Sequence, residues 1–379
     1  MTEKGHLSLK PIRFTSIEYF GEIGSDQLNT DYILSKLITQ NILYSAYHQP
    51  KTIPEIADLL AIDPSIVEEE VVFLEANGFM NKISTDKYQT TMFITDISDE
   101  VSEVLHQIYS EYAKKICDVY IPFVQKNGAD IIADKIYTPE NDSNFFMWSF
   151  IMFACDKKFS YPSLEEELKK YQTIRSNGEP NIAFTSLIKE NNLSYYREKY
   201  YTNGSIEHYY TLSEVWPVRV FVYNTCYDDR QHGWGRSVSV DPAYLYHFMA
   251  GKLNDKTKYS DIIEGLYKKG YLVSKNGSDY VNTVIISMTP DELNDILPPI
   301  PNQLLILKED LDEKVYNLVK NLHPKQVAEQ TDLLYKCFIS KNEIIARVLE
   351  QLLLNGDLKP ITDIQKKTVN MIMFSPTHP

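Results

Sequence analysis

Apolar and polar residues between positions 52 and 78 repeat with the spacing of two consecutive α-helices. Thr52 and Glu55 have the spacing of a capping box, and Asp63, followed by proline, is a typical start for a second helix. The apolar positions expected on one face are Ile56, Leu59 and Leu60 in the first helix and Ile66, Val67, Val71 and Leu74 in the second. Gly78 is placed to end the second helix. The pattern therefore predicts helix, tight turn and helix.

Two runs rich in β-forming residues follow, at 79–83 and 88–94, with a polar turn between them. The order helix, turn, helix, hairpin resembles the winged helix-turn-helix domain of bacterial transcription regulators, over about a quarter of the chain. The resemblance implies that residues 63–77 form the recognition helix and that the hairpin is the wing. The contact residues that it implies are Ser65, Glu68, Glu69, Val72, Phe73, Lys82, Lys87 and Tyr88.

The charge of this region is unfavourable for DNA. Residues 1–95 contain 7 Lys and Arg against 13 Asp and Glu, a formal net charge of −6. A run of glutamates, residues 68–70, stands where DNA-reading helices usually present Arg, Gln or Ser. A glutamate can accept a hydrogen bond from cytosine, but three together repel the phosphates that supply most of the affinity. Val72 and Phe73 on the outer side of the helix favour contact with a protein partner instead.

Two longer helical patterns flank this region. Residues 28–47 predict one helix, with a buried stripe made of Tyr32, Ile33, Leu37, Ile38 and Tyr44. Residues 99–125 predict a long amphipathic helix, with a stripe made of Val101, Val104, Leu105, Ile108, Tyr112, Ile116 and Tyr120. In winged-helix regulators a helix at this place often packs against its copy in a homodimer. Packing on the same chain is the equal alternative.

The middle of the chain is rich in aromatic residues. The apolar run 145–155 is compatible with a buried strand or a buried helix, and residues 164–174 have a helical pattern. Residues 195–212 predict a hairpin turned at Asn203-Gly204, and residues 218–225 predict a further strand. An aromatic surface here would line a ligand pocket or bind a protein, although ordinary sheet packing explains most of these rings.

The helix–glycine–hairpin pattern returns near the C-terminus. Gly270 and Gly356 each align with Gly78, and the helix before each glycine carries apolar residues at matching positions. Residues 241–296 therefore predict a second winged-helix-like unit, and residues 302–379 a third. Basic residues suited to DNA contact in the third unit are Lys341 and Arg347 on its helix and Lys366 and Lys367 near its wing. A solvated helix face explains the same side chains without DNA.

Composition limits the chemistry that the chain can support. It has 379 residues, a formal net charge of −14 and four cysteines without a C-x-x-C pair. These features, with no apolar leader or membrane-length apolar run, predict a cytoplasmic protein with no membrane contact. Cys226, Asp228, Asp229 and His232 match no metal or protease spacing, so a polar loop is expected there. No nucleotide or dinucleotide motif is present. We therefore expect no cofactor, no metal and no enzymatic activity.

The expected fold class is α+β in five segments: a winged helix-turn-helix at 1–96, a connecting or dimerisation helix at 97–127, an aromatic-rich α+β domain at 128–240, and winged-helix-like units at 241–296 and 302–379. The first function hypothesis is a DNA-binding transcription regulator whose middle domain senses a ligand or a partner. The alternative is a tandem winged-helix scaffold that binds proteins and not DNA. Either function is compatible with a homodimer.

Overall fold

The computed structural model describes residues 12–21, 30–132, 135–159, 161, 164–187, 205–210, 218–224, 241–255 and 257–376. Helices and small β-sheets both occur, so the fold class is α+β as predicted. The predicted loop at 226–236 and the turn at Asn203-Gly204 lie outside the described residues. Within the described residues, no helix is both long enough and apolar enough to cross a bilayer.

The described helices are α1 Thr30–Ser35, α2 Leu37–Ser45, α3 Ile53–Leu60, α4 Pro64–Ala76, α5 Asp99–Val119, α6 Ile121–Ile132, α7 Ser143–Phe159, α8 Glu165–Leu168, α9 Asp241–Met249, α10 Ser260–Lys268, α11 Pro290–Ile296, α12 Asn302–Val319, α13 Lys325–Ala328, α14 Thr331–Leu334, α15 Lys341–Asn355 and α16 Asp363–Lys366. Single 3-10 turns occur at Pro139–Asn141 and Lys169–Tyr171, and a π-helical turn at Tyr335–Ser340.

The described strands are β1 Phe14–Gly21, β2 Lys51–Thr52, β3 Met80–Lys82, β4 Lys87–Thr90, β5 Phe93–Thr95, β6 Ile136–Tyr137, β7 Thr173–Ile174, β8 Pro180–Leu187, β9 Ser205–Tyr210, β10 Val218–Asn224, β11 Leu272–Lys275, β12 Ser278–Val281, β13 Val284–Ile286 and β14 Asn370–Pro376. They divide among four sheets.

One compact unit collects residues 1–105, 161–192 and 312–340. Its larger sheet has the order β1-β8-β5, with β7 also paired to β8, and β5 runs parallel to β8. A smaller sheet, β2-β4-β3, contains the predicted hairpin. We call residues 30–95 the first module. It consists of α1 to α4, this hairpin and β5.

The last helix of the first module, α4, begins and ends where the sequence predicts. The Asp63 carboxylate accepts a hydrogen bond of 2.8 Å from the Ser65 N–H and so caps α4. Gly78 adopts a φ of 77°, the left-handed conformation in which a side chain is strained. Between these ends, Val67, Val71 and Leu74 are completely buried. The capping box predicted for Thr52 and Glu55 is also present at the start of α3.

A late segment of the chain completes the core beneath the first module. Gln326 donates hydrogen bonds from Nε2 to the Tyr47 and Thr90 carbonyl oxygens, at 2.8 and 3.2 Å. The His323 ring lies 4.2 Å from the Phe93 ring, centroid to centroid, and its Nδ1 is 3.2 Å from the Tyr47 hydroxyl. Burial lowers the pKa of His323 to about 4, so the imidazole is neutral at pH 7.

A second compact unit collects residues 106–160, 193–311 and 341–379. Its five-stranded sheet has the order β6-β13-β14-β10-β9, in which only β13 and β14 are parallel. We call residues 241–286 the second module. It comprises α9, α10, the hairpin β11–β12 and β13. Leu266, Tyr271 and Leu272 pack with the sheet in one hydrophobic cluster.

The predicted third winged-helix-like unit is wrong. The helix before Gly356 is present as α15, but no hairpin follows it in residues 356–376. The strand there, β14, lies in the middle of the five-stranded sheet, antiparallel to β10 and parallel to β13. A helix that ends in glycine before an apolar strand matches the pattern equally well, because the sequence does not show which strand is the partner.

Two predicted helices are interrupted. The helix expected at 28–47 breaks at Lys36 into α1 and α2, and the break shifts the helical period, so Tyr32 and Leu37 are 50% and 40% exposed rather than buried. The helix expected at 164–174 is a single turn of α-helix followed by a 3-10 turn and β7. Strand β8, which follows, was not predicted.

The helical pattern at 99–125 forms α5 and the start of α6. Most of its apolar stripe is buried within the chain: the Tyr112 hydroxyl donates to the Leu304 carbonyl oxygen at 3.1 Å, and the Tyr120 hydroxyl to that of Pro298 at 3.0 Å. Leu105, Tyr112, Ile116 and Tyr120 of the stripe therefore pack on the same chain, which is the alternative to the predicted dimerisation face, whereas Val104 is 42% exposed. The ambiguous run at 145–155 lies inside α7, a helix buried on nearly all sides.

Candidate functional site

The outward side of α4 is the most distinctive exposed surface of the first module. Val67, Val71 and Leu74 point into the core, and most of the residues between and before them are turned to solvent. We define the α4 outer face as Ser65, Ile66, Glu68, Glu69, Val72 and Phe73. Ile66 and Val72 are 48% and 53% exposed. Apolar side chains of this size are usually covered, so the face has the composition of a contact surface.

Tyr32 of α1 and Lys36, at the break before α2, extend this face, and neither is predicted from the sequence as a contact residue. The Lys36 ammonium lies 5.0 Å from the centroid of the Tyr32 ring and 5.7 Å from that of the Phe73 ring. One cation therefore lies between an aromatic ring of α1 and one of α4. Tyr32 was placed in a buried stripe because the break at Lys36 was not recognised.

The three glutamates of α4 are not equivalent. Glu70 is partly buried and accepts a hydrogen bond from the Thr39 hydroxyl of α2. Glu68 and Glu69 are exposed and flank Val72 at helical spacing. The α4 outer face therefore presents two carboxylates beside its apolar side chains, and α4 itself contains no Lys or Arg.

The hairpin presents only part of the predicted wing surface. Lys82 and Lys87 are exposed, but Tyr88 is 7% exposed and is not available for contact, which corrects its prediction as a site residue. The Lys82 ammonium lies 5.6 Å from the centroid of the Tyr88 ring. Ile83, at the hairpin tip, is 54% exposed and was not predicted as a contact residue.

The four C-terminal candidates do not form a DNA-contacting surface. Arg347 is 2% exposed and donates to the Glu343 and Glu350 carboxylates at 3.1 and 2.9 Å, so its prediction as a contact residue is wrong. The Lys341 ammonium pairs with the buried Asp156 carboxylate at 2.6 Å. These two basic side chains neutralise acids of their own unit.

Lys366 and Lys367 lie at the end of α16 and not on a wing. The Lys366 ammonium pairs with the Asp363 carboxylate at 2.8 Å, and this hydrogen bond lowers the pKa of Asp363. Lys367 is exposed, and its side-chain carbons lie over Gly270 at the end of α10. The structure therefore brings together the predicted residues of α4 but not those of the predicted third unit.

The first module is strongly acidic. Residues 30–95 contain 4 Lys and 9 Asp and Glu, a formal net charge of −5. The hydrogen bonds that Asp63 and Glu55 accept at the two helix starts lower the pKa of both carboxyls, which therefore remain ionised at neutral pH. In the part of the chain that the structure describes, no three His, Cys, Asp or Glu side chains are grouped as metal ligands.

No family model, no curated protein and no solved structure matches this chain. Its function therefore has to be inferred from the chemistry of its surfaces.

Proposed function

We propose that the chain is a winged-helix-type interaction scaffold whose first module binds a protein partner through the α4 outer face. The observation that carries the proposal is the combination of half-exposed Ile66 and Val72 with the carboxylates of Glu68 and Glu69 on one helix. Apolar side chains at the centre of a contact gain free energy when a partner removes them from water, and charged neighbours select that partner.

The charge of α4 is the main argument against a DNA groove as its partner. Non-specific and much specific DNA affinity comes from Lys and Arg contacts to phosphate, and α4 has neither residue. Burying Glu68 and Glu69 against the phosphate backbone would be repulsive at any sequence. On the sequence alone, DNA binding is the first hypothesis. The exposed apolar side chains of α4, together with the buried or paired basic residues of the C-terminal region, reverse that order.

A DNA-binding transcription regulator remains the second candidate, and one observation favours it. Lys82 and Lys87 are exposed on the hairpin that follows α4, where a wing would lie against the phosphate backbone. In that function α4 would read cytosine edges through glutamate, and the wing would supply the phosphate contacts.

A paired capture experiment separates these functions. Full-length protein would be incubated at near-physiological salt with genomic fragments of its source organism and, separately, with an extract of the same cells. The scaffold function predicts no sharply enriched DNA site. It also predicts a captured protein that is lost with Ile66→Asp/Val72→Asp and retained with Ile306→Asp, a control at an isoleucine that is 58% exposed elsewhere. Enriched DNA sites that survive rising salt would establish the regulator instead.

A further inference from the structure

We infer that the occupant of the α4 outer face is an amphipathic helix with a basic flank, supplied by a different protein. This inference rests on the proposed function, because it names the partner class for the same surface. It follows from the shape of the face, from its charge and from the position of Lys36.

The shape of the face favours a helix as occupant. α4 is a regular helix of 13 residues, which makes it about 20 Å long. Ile66, Glu69 and Val72 follow one another at i+3 spacing on one ridge, and Glu69 and Phe73, at i+4 spacing, lie on a ridge that crosses it. The Lys36 ammonium joins the Tyr32 ring to this surface, because it lies 5.0 Å from the Tyr32 ring centroid and 5.7 Å from that of Phe73. A second helix of about four turns packs on ridges of this kind.

The charge of the face decides which helix fits. Glu68 and Glu69 are exposed on α4, which has no Lys or Arg of its own, and the Lys36 ammonium lies over the Tyr32 and Phe73 rings. Lys or Arg beside the apolar stripe of a partner would meet these two carboxylates, and acidic residues there would be repelled.

A second copy of the chain does not meet this requirement. In a two-fold contact each α4 outer face would meet its own equivalent, so Glu68 and Glu69 would approach their copies. The formal net charge of −5 on residues 30–95 adds to the repulsion. The occupant is therefore a heterologous, basic chain.

The inference is tested with three fluorescent 14-residue peptides: a Leu/Lys amphipathic helix, a Leu/Glu helix of the same pattern, and a scrambled Leu/Lys peptide without an apolar stripe. Fluorescence anisotropy is measured with the full-length protein in 50 and 500 mM salt. We expect the Leu/Lys helix to bind at least tenfold more tightly than the other two, and its affinity to fall as salt rises.

Substitutions on α4, with matched controls on α12, test whether the peptide binds at the α4 outer face. Val72→Asp should weaken the Leu/Lys helix about tenfold, whereas Ile306→Asp should not. Glu68→Lys/Glu69→Lys should abolish the preference for the basic helix. The control Glu309→Lys/Glu313→Lys changes the net charge equally at two exposed glutamates of α12 and should leave the preference intact.

The inference is overturned if the scrambled peptide binds equally well, if the α12 control weakens binding as much as the α4 variant, or if no peptide binds. In each of these cases, if the capture of a protein from the extract still requires Ile66 and Val72, the scaffold function is retained and the α4 outer face binds a different kind of partner. Loss of that dependence would remove the scaffold function itself.

Discussion

From their last helix onward, the first and second modules have the same order of elements, but the first is acidic and the second is close to neutral. In both, a helix ends at a glycine with φ near 80°, a buried aromatic residue follows, and a hairpin leads to a strand that pairs in parallel with a later strand. Residues 30–95 carry a formal charge of −5, whereas residues 241–286 contain six Lys and five acids. The buried positions of the two modules follow one apolar pattern, whereas their exposed positions differ in charge.

The polar contacts beneath the two glycines also differ. In the first module the Asn77 amide oxygen accepts from the Ser176 hydroxyl at 3.0 Å, just before Gly78. In the second module Asn282 reaches back from the hairpin, and its amide nitrogen donates to the Gly270 carbonyl oxygen and the Thr368 hydroxyl, both at 3.1 Å. The same junction is therefore stabilised by different residues. Resemblance between the modules lies in backbone geometry and apolar positions.

The largest expected effect is a loss of stability when a buried leucine is shortened in the last helix of either module. Leu74 and Leu266 hold the same position before their glycines and are 0% and 1% exposed. Replacing either by Ala should lower the free energy of unfolding by about 2–5 kcal/mol. Hydrogen exchange of the full chain should show faster exchange in α4 for Leu74→Ala and in α10 for Leu266→Ala. Leu354→Ala, at a residue 76% exposed, is the control and should change little. Equal exchange in all three variants would contradict the assigned cores.

The second prediction concerns the two glycines. Alanine at either position is strained by its left-handed backbone, at about 1–2 kcal/mol. At Gly78 an added Cβ would also lie 2.7 Å from the Thr173 side chain, whereas at Gly270 it would find ordinary contacts at 3.5 Å. Gly78→Ala should therefore be more destabilising by about 1–3 kcal/mol.

Chemical denaturation of both glycine variants measures this difference. Gly356→Ala supplies the control, since its φ is 79° and nothing lies within 4 Å of an added Cβ. A Gly78→Ala variant as stable as the Gly356→Ala variant would show that Thr173 does not pack there.

The third prediction is that the free energy of unfolding decreases at acid pH because His323 is buried as a neutral ring. The unfolded chain takes up a proton near pH 6.5, but the buried ring does so only near pH 4. Stability is therefore complete above pH 6.5 and falls by roughly 3 kcal/mol as pH decreases to 4. His323→Gln should flatten that part of the stability curve in equilibrium unfolding. Burial also lowers the pKa of His247 in the second module, so His247→Gln is the matched variant. An unchanged curve for His323→Gln would refute the neutral, buried imidazole.

The smallest expected loss of stability comes from removing either of two capping boxes, which have nearly the same geometry. Thr52 caps α3 and Thr289 caps α11, and their hydroxyls accept from backbone N–H groups at 3.3 and 3.2 Å. Replacing either threonine by Ala should cost about 1 kcal/mol. In return, the Glu55 and Glu292 carboxylates accept hydrogen bonds from the backbone N–H and the hydroxyl of these threonines, which lowers the pKa of both carboxyls. This part of the contribution is therefore present at neutral pH and lost as pH falls through the lowered values. Thermal unfolding at pH 7 and pH 3 should show unequal losses for each variant, and equal losses would contradict this account.

Local signals in the sequence predict where helices begin and end, but they do not predict which strands pair with one another. Asp63 and Gly78 define the ends of α4 because capping and left-handed glycine are properties of a few neighbouring residues. The strand β8 was missed because its partners, β1 and β5, lie far away in sequence.

The sequence likewise predicts some residues of the candidate site correctly and others wrongly. Glu68, Glu69, Val72 and Phe73 were recognised because they face away from a strong apolar stripe. Ile66 was assigned to that stripe and is exposed, since four apolar residues are more than one side of α4 can bury. Arg347 is buried rather than exposed, and the sequence does contain a signal for this: Glu343 and Glu350 lie four residues before it and three after it on the same helix, the spacing of ion pairs.

The pairing of β5 with β8 has a consequence for synthesis of the chain. Phe93 must find Phe184, which leaves the ribosome 91 residues later, a delay of roughly 5–20 s at ordinary translation rates. Gln326, which hydrogen-bonds to the Tyr47 carbonyl, follows 279 residues after that tyrosine. During this interval the nascent N-terminal segment displays an unpaired, apolar strand edge. Chaperone demand should therefore be greatest early in translation and end only when most of the polypeptide has emerged.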